Sequence, residues 1–276
     1  MGEGPVGMIV LFTFLAGIGA GGLGALLGLG GGIFLVPFLN IVLDFPIKQA
    51  MAISLVTVIA TSNFVSLASA GLRFANVRLA MLLQLVSLVG AIGGTYILMS
   101  ERATEQVFGI TSLVVAAVMV SRLNQRNVLH GHAGDVGFLG GWIPDHDTGE
   151  LVAYRLKNVP LALGVAGGAG VVSTLAGIGG GVLVVPALNS WCGIPMRVAA
   201  ATSAVILGVT ALPGVIDNYA KGQLTQPLLA AAAALGVLAG SRAGFWIGTK
   251  VKVRALKILL AVVLALVAAE YLFFKE

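Results

Sequence analysis

Eight long apolar stretches run through this sequence, and they constrain its fold more than any other feature. Most have 16–23 residues, which as helix is enough to cross about 30 Å of hydrocarbon. Charged residues make up only 10% of the chain, against roughly 25% in soluble domains. We therefore expect an all-α integral membrane protein. The stretches cover about 8–43, 49–70, 77–99, 106–121, 161–192, 198–216, 227–248 and 256–274.

One long polar segment, residues 122–160, separates the first four apolar stretches from the last four. This predicts an N-terminal membrane repeat at 1–121, a cytoplasmic linker at 122–160 and a C-terminal membrane repeat at 161–276. The net charge is +5, but most Lys and Arg residues sit at the ends of apolar stretches. Because that placement is a topology signal, we expect no nucleic-acid partner.

The two halves share a glycine-rich motif. Gly28–Asn40 (GLGGGIFLVPFLN) matches Gly177–Asn189 (GIGGGVLVVPALN) at an offset of 189 − 40 = 149 residues. Composition bias alone would not align glycine, proline, asparagine and basic positions together, and internal repeats are typical of transporter folds. The same offset pairs Pro46 with Pro195, Lys48 with Arg197, Ala50 with Ala199, Ser54 with Ser203 and Thr61 with Thr210.

Positive charge favours inverted repeats over parallel ones. If 8–43 and 161–192 each enter the membrane and come back, eleven of the sixteen Lys and Arg residues lie on the linker side and four on the other. If each crosses only once, the two sides are nearly equal. The first arrangement obeys the positive-inside rule. It gives each half a glycine-broken segment plus three further helices, and leaves open whether the short second arms are re-entrant or full spans.

The glycine clusters are the first candidate binding site. Gly30, Gly31 and Gly32 in one half, with Gly179, Gly180 and Gly181 in the other, leave backbone N–H groups uncovered by side chains. Helix N-termini with free N–H groups suit anions, and two broken helices could converge near the bilayer midplane. The alternative is close helix packing through small residues, and the two interpretations are compatible.

Polar residues of the repeated unit are the second candidate. Hydroxyls and amides can bind an oxyanion without adding fixed charge, although each could instead make ordinary interhelical or backbone hydrogen bonds. Asn40 and Asn189 are the stronger candidates because each ends its motif. The candidate substrate-binding set adds the hydroxyl residues Ser54, Thr61, Ser203 and Thr210.

Arg242 is the one basic residue well inside an apolar stretch. Charges at such positions are functional hypotheses by default, so Arg242 joins the candidate anion site. It also lies six residues before Gly248, and the alternative is that its side chain extends to the membrane surface. Lys48 and Arg197 could attract an anion to one mouth of a pathway or anchor their helix ends.

Two further patterns are weaker. His130, His132 and Asp145-His146-Asp147 in the linker could bind a metal, but exposed histidines without a second motif usually bind nothing specific. Gly19–Gly24 fits a dinucleotide-binding glycine pattern, yet it lies inside an apolar run and lacks the strand that such a site needs. We expect no cofactor, no metal and no catalytic residue.

The doubled motif resembles the TauE/SafE family of sulfite exporters, through Gly28–Asn40 with Phe45–Ala50 and Gly177–Asn189 with Ile194–Ala199. The resemblance covers both halves. It implies a cell (inner) membrane transporter that exports sulfite or a related organosulfur anion. The expected partners are that anion and the lipid bilayer, with a homodimer left open.

We expect alternating access around a midplane site between the two repeats. Two other classes stay open at this point. A membrane-embedded sulfur-transfer enzyme could use Cys192, the chain's one cysteine, as its nucleophile. A non-transporting scaffold could be held together by its glycine faces and would move no substrate.

Overall fold

The protein folds almost entirely into helices. The computed structural model describes residues 3–71, 75–97, 99–121, 137–144, 151–250 and 253–271. The helices in these ranges are α1 (Glu3–Leu27), α2 (Gly32–Pro37, continued by a π-helix Phe38–Val42), α3 (Ile47–Gly71), α4 (Val77–Thr95), α5 (Glu101–Ser121), α6 (Val159–Ala176), α7 (Gly181–Ser190), α8 (Met196–Ala220), α9 (Pro227–Lys250) and α10 (Val253–Ala269).

Six of these helices, α1, α3, α4, α6, α8 and α9, are long and apolar enough to cross a membrane by length and composition. Helices α3 and α8 contact each other at the centre, and more than half of the apolar window of each is buried. Helix α1 packs on α9, α4 packs on α6, and α5 packs on α10. Each half therefore has a glycine-broken segment and three further helices, as the sequence predicts.

The short arm of the second half turns back toward the start of α6. With ten residues, α7 is about 15 Å long, half of what a bilayer core requires. Its end lies beside the start of α6. Lys157 donates its backbone N–H to the Cys192 carbonyl (2.8 Å), and the Asn158 amide donates to the Trp191 carbonyl (3.2 Å). Helices α6 and α7 thus leave and return to the same side.

Helix α9 lies against α1 along a stripe of glycines. Methyl groups added at Gly236, Gly240 and Gly244 would lie about 2 Å from carbonyl oxygens of α1, at 2.2, 1.9 and 2.1 Å. No side chain larger than hydrogen is accommodated there without moving a helix. Small residues therefore set the interaxial distance, which is a common solution between membrane helices.

The linker contains a feature that the sequence analysis did not predict. Strands β1 (Gly141–Pro144) and β2 (Leu151–Tyr154) form an antiparallel hairpin, with Gly141 opposite Tyr154. Apolar side chains of this short segment, including Ile143 and Tyr154, are buried against the helices. The candidate metal ligands at positions 130, 132 and 145–147 lie outside the described residues. Within the described ranges, no cluster of three metal-ligating side chains occurs.

Candidate functional site

The first glycine loop connects α1 to α2 and bends in a way that only glycine adopts without strain. Gly28, Gly30 and Gly31 have φ angles of 70°, 79° and 77°. Gly31 lies against the Ala20 carbonyl, since a methyl group at Gly31 would be 2.9 Å from that oxygen. The loop therefore folds back along α1 and starts α2 well inside the bundle.

The second glycine loop repeats this geometry. Gly177 and Gly179 have φ angles of 66° and 76°, and a methyl group at Gly180 would be 3.0 Å from the Ala169 carbonyl. Ala169 is the residue 149 positions after Ala20, so the two loops fold back at equivalent places. Gly180 precedes α7, and no side chain caps the N–H groups that open this helix.

The two loops meet each other. A methyl group at Gly32 would lie 3.0 Å from the Ile178 carbonyl, and one at Gly181 would lie 2.9 Å from the Gly28 carbonyl. Each loop also contacts a serine of the central helices. The methyl group added at Gly32 would lie 2.6 Å from Ser54 Oγ, and the one added at Gly181 would lie 2.9 Å from Ser203 Oγ. The structure thus brings both glycine clusters and both serines into one buried cluster.

The cluster lies at the middle of the bundle. Gly30 and Gly179 both contact Val58 of α3 and Leu207 of α8, which are near the midpoints of two 25-residue helices. Both helices are long and apolar enough to cross a bilayer, and the cluster lies about halfway along them. Val58 and Leu207 form an apolar surface that the sequence analysis did not predict as part of the site.

The two serines are not equivalent. Ser54 donates its hydroxyl to the Gly177 carbonyl (2.8 Å), which ties α3 to the opposite loop. Ser203 Oγ is fully buried and has no hydrogen-bond partner among the described residues. Five other buried serine and threonine hydroxyls of the described residues also lack a partner, so the position of Ser203, and not the missing bond alone, makes it a candidate donor. Ser203 lies beside Gly181, at the uncapped start of α7.

The two threonines of the candidate set bond within their own helices. Thr61 donates to the Thr57 carbonyl (2.9 Å), and Thr210 donates to the Ile206 carbonyl (2.8 Å). Thr210 also lies 3.3 Å from the Ser87 hydroxyl of α4. Each is seven residues beyond its serine, about 10 Å along the helix. Neither threonine is among the nearest neighbours of the loop glycines, as Ser54 and Ser203 are.

The two asparagines hold turns. The Asn40 amide donates to the Phe45 carbonyl (2.7 Å), and the Asn189 amide donates to the Ile194 carbonyl (2.9 Å). These are the same bond in the two repeats, since 45 and 194 also differ by 149. Tyr271 additionally donates its hydroxyl to Asn40 Oδ1 (3.0 Å). Both side chains stabilise the chain reversal after a short arm, at a distance from the glycine loops.

Arg242 does not point into the cluster. It is exposed, whereas its neighbour Ser241 is buried and donates to the Gly21 carbonyl at 3.3 Å. The packed face of α9 is therefore the serine and glycine face, and Arg242 lies on the outside. This placement agrees with the alternative that its side chain extends to the membrane surface.

Asn76 joins the linker hairpin to the helix that carries Ser203. Its backbone N–H donates to the Thr202 hydroxyl (3.1 Å), and its side-chain amide donates to the Tyr154 hydroxyl (3.2 Å) and the Leu139 carbonyl (2.9 Å). Burial raises the pKa of Tyr154, while its bond to Asn76 opposes that shift. Neither residue is in the repeated motif, so nothing in the sequence pattern marked this connection.

Cys192 is unsuited to nucleophilic chemistry. The thiol is fully buried in the turn after α7, and burial raises its pKa to about 11. Since the thiolate is the reactive form, almost none is present at neutral pH.

Comparison with known proteins identifies the family. The sequence pattern described as "Sulfite exporter TauE/SafE" matches residues 13–271, which is nearly the whole chain. This chain belongs to the TauE/SafE family. It is therefore a multi-pass membrane protein of a transporter family and not an enzyme.

Two relatives match over almost their full lengths. The chain is 26% identical over 275 residues to "Probable membrane transporter protein YunE" of Bacillus subtilis, covering 96% of this chain and 98% of the relative. It is 24% identical over 275 residues to "Probable membrane transporter protein MJ0441" of Methanocaldococcus jannaschii, covering 93% and 91%. No solved structure matches the chain.

Proposed function

We propose that this chain exports sulfite or a related small organosulfur anion by alternating access. The observation that carries the proposal is the meeting of the two glycine loops at the middle of the bundle, with the uncapped start of α7 beside the unpartnered hydroxyl of Ser203. Free N–H groups and the positive end of a helix dipole stabilise an anion, and a hydroxyl adds a directed donor.

The proposed substrate site consists of the Gly177–Gly181 loop, Ser203 and the facing Gly28–Gly32 loop. Its donors are backbone N–H groups and a hydroxyl, without a fixed positive side chain. Such a site holds an anion strongly enough for selection and weakly enough for release. Asn40, Asn189, Thr61, Thr210 and Arg242 are left out of this site, because the structure places them in turns, within helices or on the outer surface.

We infer that the halves are inverted repeats that rock against each other around this site. Reciprocal contacts support the inference. Gly28 packs on Ala200, and Gly177 packs on Met51, which is the residue 149 positions before Ala200. Gly32 contacts Ser54 while Gly181 contacts Ser203. Contacts that exchange the two halves in this way are those expected of a pseudo-two-fold axis.

Reconstitution in liposomes tests the function. Purified protein is placed in vesicles loaded with sulfite, and release is followed beside vesicles loaded with sulfate or an organosulfonate. We expect sulfite release above protein-free vesicles, and loss of that release in Gly181→Ala. Release of another anion in place of sulfite would change the substrate, and release of no anion by folded protein would overturn the carrier.

A further inference from the structure

An apolar groove lies between α5, α6 and α7, separate from the glycine loops. Its volume is about 220 Å³, larger than the apolar cavity of about 150 Å³ that holds benzene. Val114 of α5 and Gly168 of α6 are exposed at its mouth, and Ala187 of α7 is buried at its floor. Since α6 is a membrane-spanning candidate, the groove opens toward lipid.

The repeat explains why the groove exists on this side. By the offset of 149 residues, Ala187 corresponds to Phe38, and Gly168 corresponds to Gly19. The first half therefore has a half-buried aromatic ring where the second half has a methyl group. A small residue at position 187 therefore contributes to the space between α5, α6 and α7.

One end of the groove combines an aromatic ring with positive charge. Trp191 lines it and is 38% exposed. The Asn158 amide holds the Trp191 carbonyl, and the methylenes of Lys157 pack near Gly193, where an added methyl group would lie 3.5 Å from Lys157 Cδ. Lys157 is exposed beside this end, and Arg155 is exposed two residues before it, with its carbonyl near Gly193 and its side chain running past Gly137.

We propose that this groove binds an anionic phospholipid of the bilayer. One acyl chain lies in the groove over Ala187, Trp191 marks the interface, and the phosphate headgroup contacts Lys157 and Arg155. Tryptophan is enriched at the level of lipid headgroups, and clustered basic side chains beside membrane helices attract anionic headgroups. The apolar lining alone would accept any chain, whereas the two cations select the charge of the lipid.

Fluorescence quenching of Trp191 tests the site. In the full chain with Trp142→Phe and Trp246→Phe, Trp191 is the remaining tryptophan. This protein is reconstituted in phosphatidylcholine bilayers containing a few mole per cent of phosphatidylglycerol with brominated acyl chains. We expect quenching that saturates at low mole fraction. Brominated phosphatidylcholine at the same fraction should bind roughly tenfold more weakly, because it lacks the net charge.

Two sets of variants separate the groove from the headgroup. Ala187→Phe should abolish the saturable quenching, and Gly168→Val serves as a second filling variant, since a Cβ there meets no heavy atom within 4 Å. Lys157→Gln with Arg155→Gln should remove the preference for phosphatidylglycerol. Saturable quenching that persists in both filling variants overturns the groove as the site. Equal quenching by both brominated lipids overturns the headgroup contact.

Discussion

The hydroxyl of Ser54 donates to the carbonyl of Gly177 across 2.8 Å, whereas its repeat counterpart Ser203 has no such bond among the described residues. The Ser54 hydroxyl thus joins the two halves, whereas the Ser203 hydroxyl can donate to a ligand. The repeat gives the two residues the same position on the central helices, so the difference between them lies in how their neighbours pack.

This asymmetry predicts opposite effects of two matched substitutions. Ser203→Ala should weaken anion binding roughly ten- to a hundredfold with little loss of stability, because hydrogen bonds to charged groups contribute about 1.5–3 kcal/mol. Ser54→Ala should lower the free energy of unfolding by about 1 kcal/mol through loss of the Gly177 bond. Anion titration and thermal unfolding of both variants in the same detergent check this. Equal effects of the two substitutions on both measurements would contradict it.

A methyl group added at the meeting point of the two loops should stop transport. At Gly181 it would lie 2.9 Å from each of Ser203 Oγ, Leu207 Cδ1 and the Gly28 carbonyl oxygen, so these groups must shift where we propose that substrate binds. Gly181 has no positive φ, so Gly181→Ala adds bulk without backbone strain. We expect sulfite release from liposomes to fall at least tenfold, whereas Gly164→Ala, whose Cβ meets nothing within 4 Å, keeps normal release. Normal release by Gly181→Ala would exclude this substrate position.

The glycine stripe between α1 and α9 makes a stability prediction. At Gly240 an added Cβ would lie 1.9 Å from the Ile18 carbonyl, so Gly240→Ala forces the helices apart. Overpacking of this kind costs about 1–3 kcal/mol. Gly93→Ala in α4 is the matched control, because its Cβ meets no heavy atom within 4 Å. Detergent unfolding curves should show a lowered midpoint for the first variant and an unchanged or raised one for the second.

Much of this architecture was accessible from the sequence because the repeat is regular. The glycine clusters predicted two broken segments, and in the structure both short helices begin inside the bundle, beside Val58 and Leu207. Side-chain roles were less accessible. Asn40 and Asn189 end their motifs as a binding residue would, but a chain reversal five residues long needs an amide at the same position. Repetition of an asparagine at the same spacing in both halves does not show whether it binds substrate or stabilises a turn.

The sequence pattern did not predict contacts between distant segments. The bond from Asn76 to Thr202 and the hairpin that packs Tyr154 on Asn76 depend on how the linker folds over the helices, and the linker has no counterpart in the repeat. Arg242 likewise lies on the outside because Gly236, Gly240 and Gly244 form the face of α9 that packs on α1. The sequence allowed Arg242 either to join an anion site or to extend to the membrane surface, but it did not show which helix packs on α9.

The turn asparagines provide a further prediction, on stability and not on binding. Asn189→Ala removes the amide that donates to the Ile194 carbonyl, and loss of a hydrogen bond of this kind costs about 0.5–1.5 kcal/mol. Asn40→Ala should cost a similar amount for the same reason. We expect lower unfolding midpoints in both and unchanged anion affinity in the protein that remains folded. An affinity loss with normal stability would return the asparagines to the binding site.

The reactivity of the Cys192 thiol distinguishes a transporter from a sulfur-transfer enzyme. Burial holds its pKa at about 11, so the thiol stays protonated at neutral pH and ionises only in strongly alkaline solution. Maleimide labelling of the folded protein should therefore be slow at pH 7 and become fast only on unfolding, since the thiolate is the reactive form. Cys192→Ser should retain sulfite release at the level of the unmodified chain. Loss of release in that variant, with normal folding, would indicate that the thiol contacts substrate and would extend the site to the turn after α7.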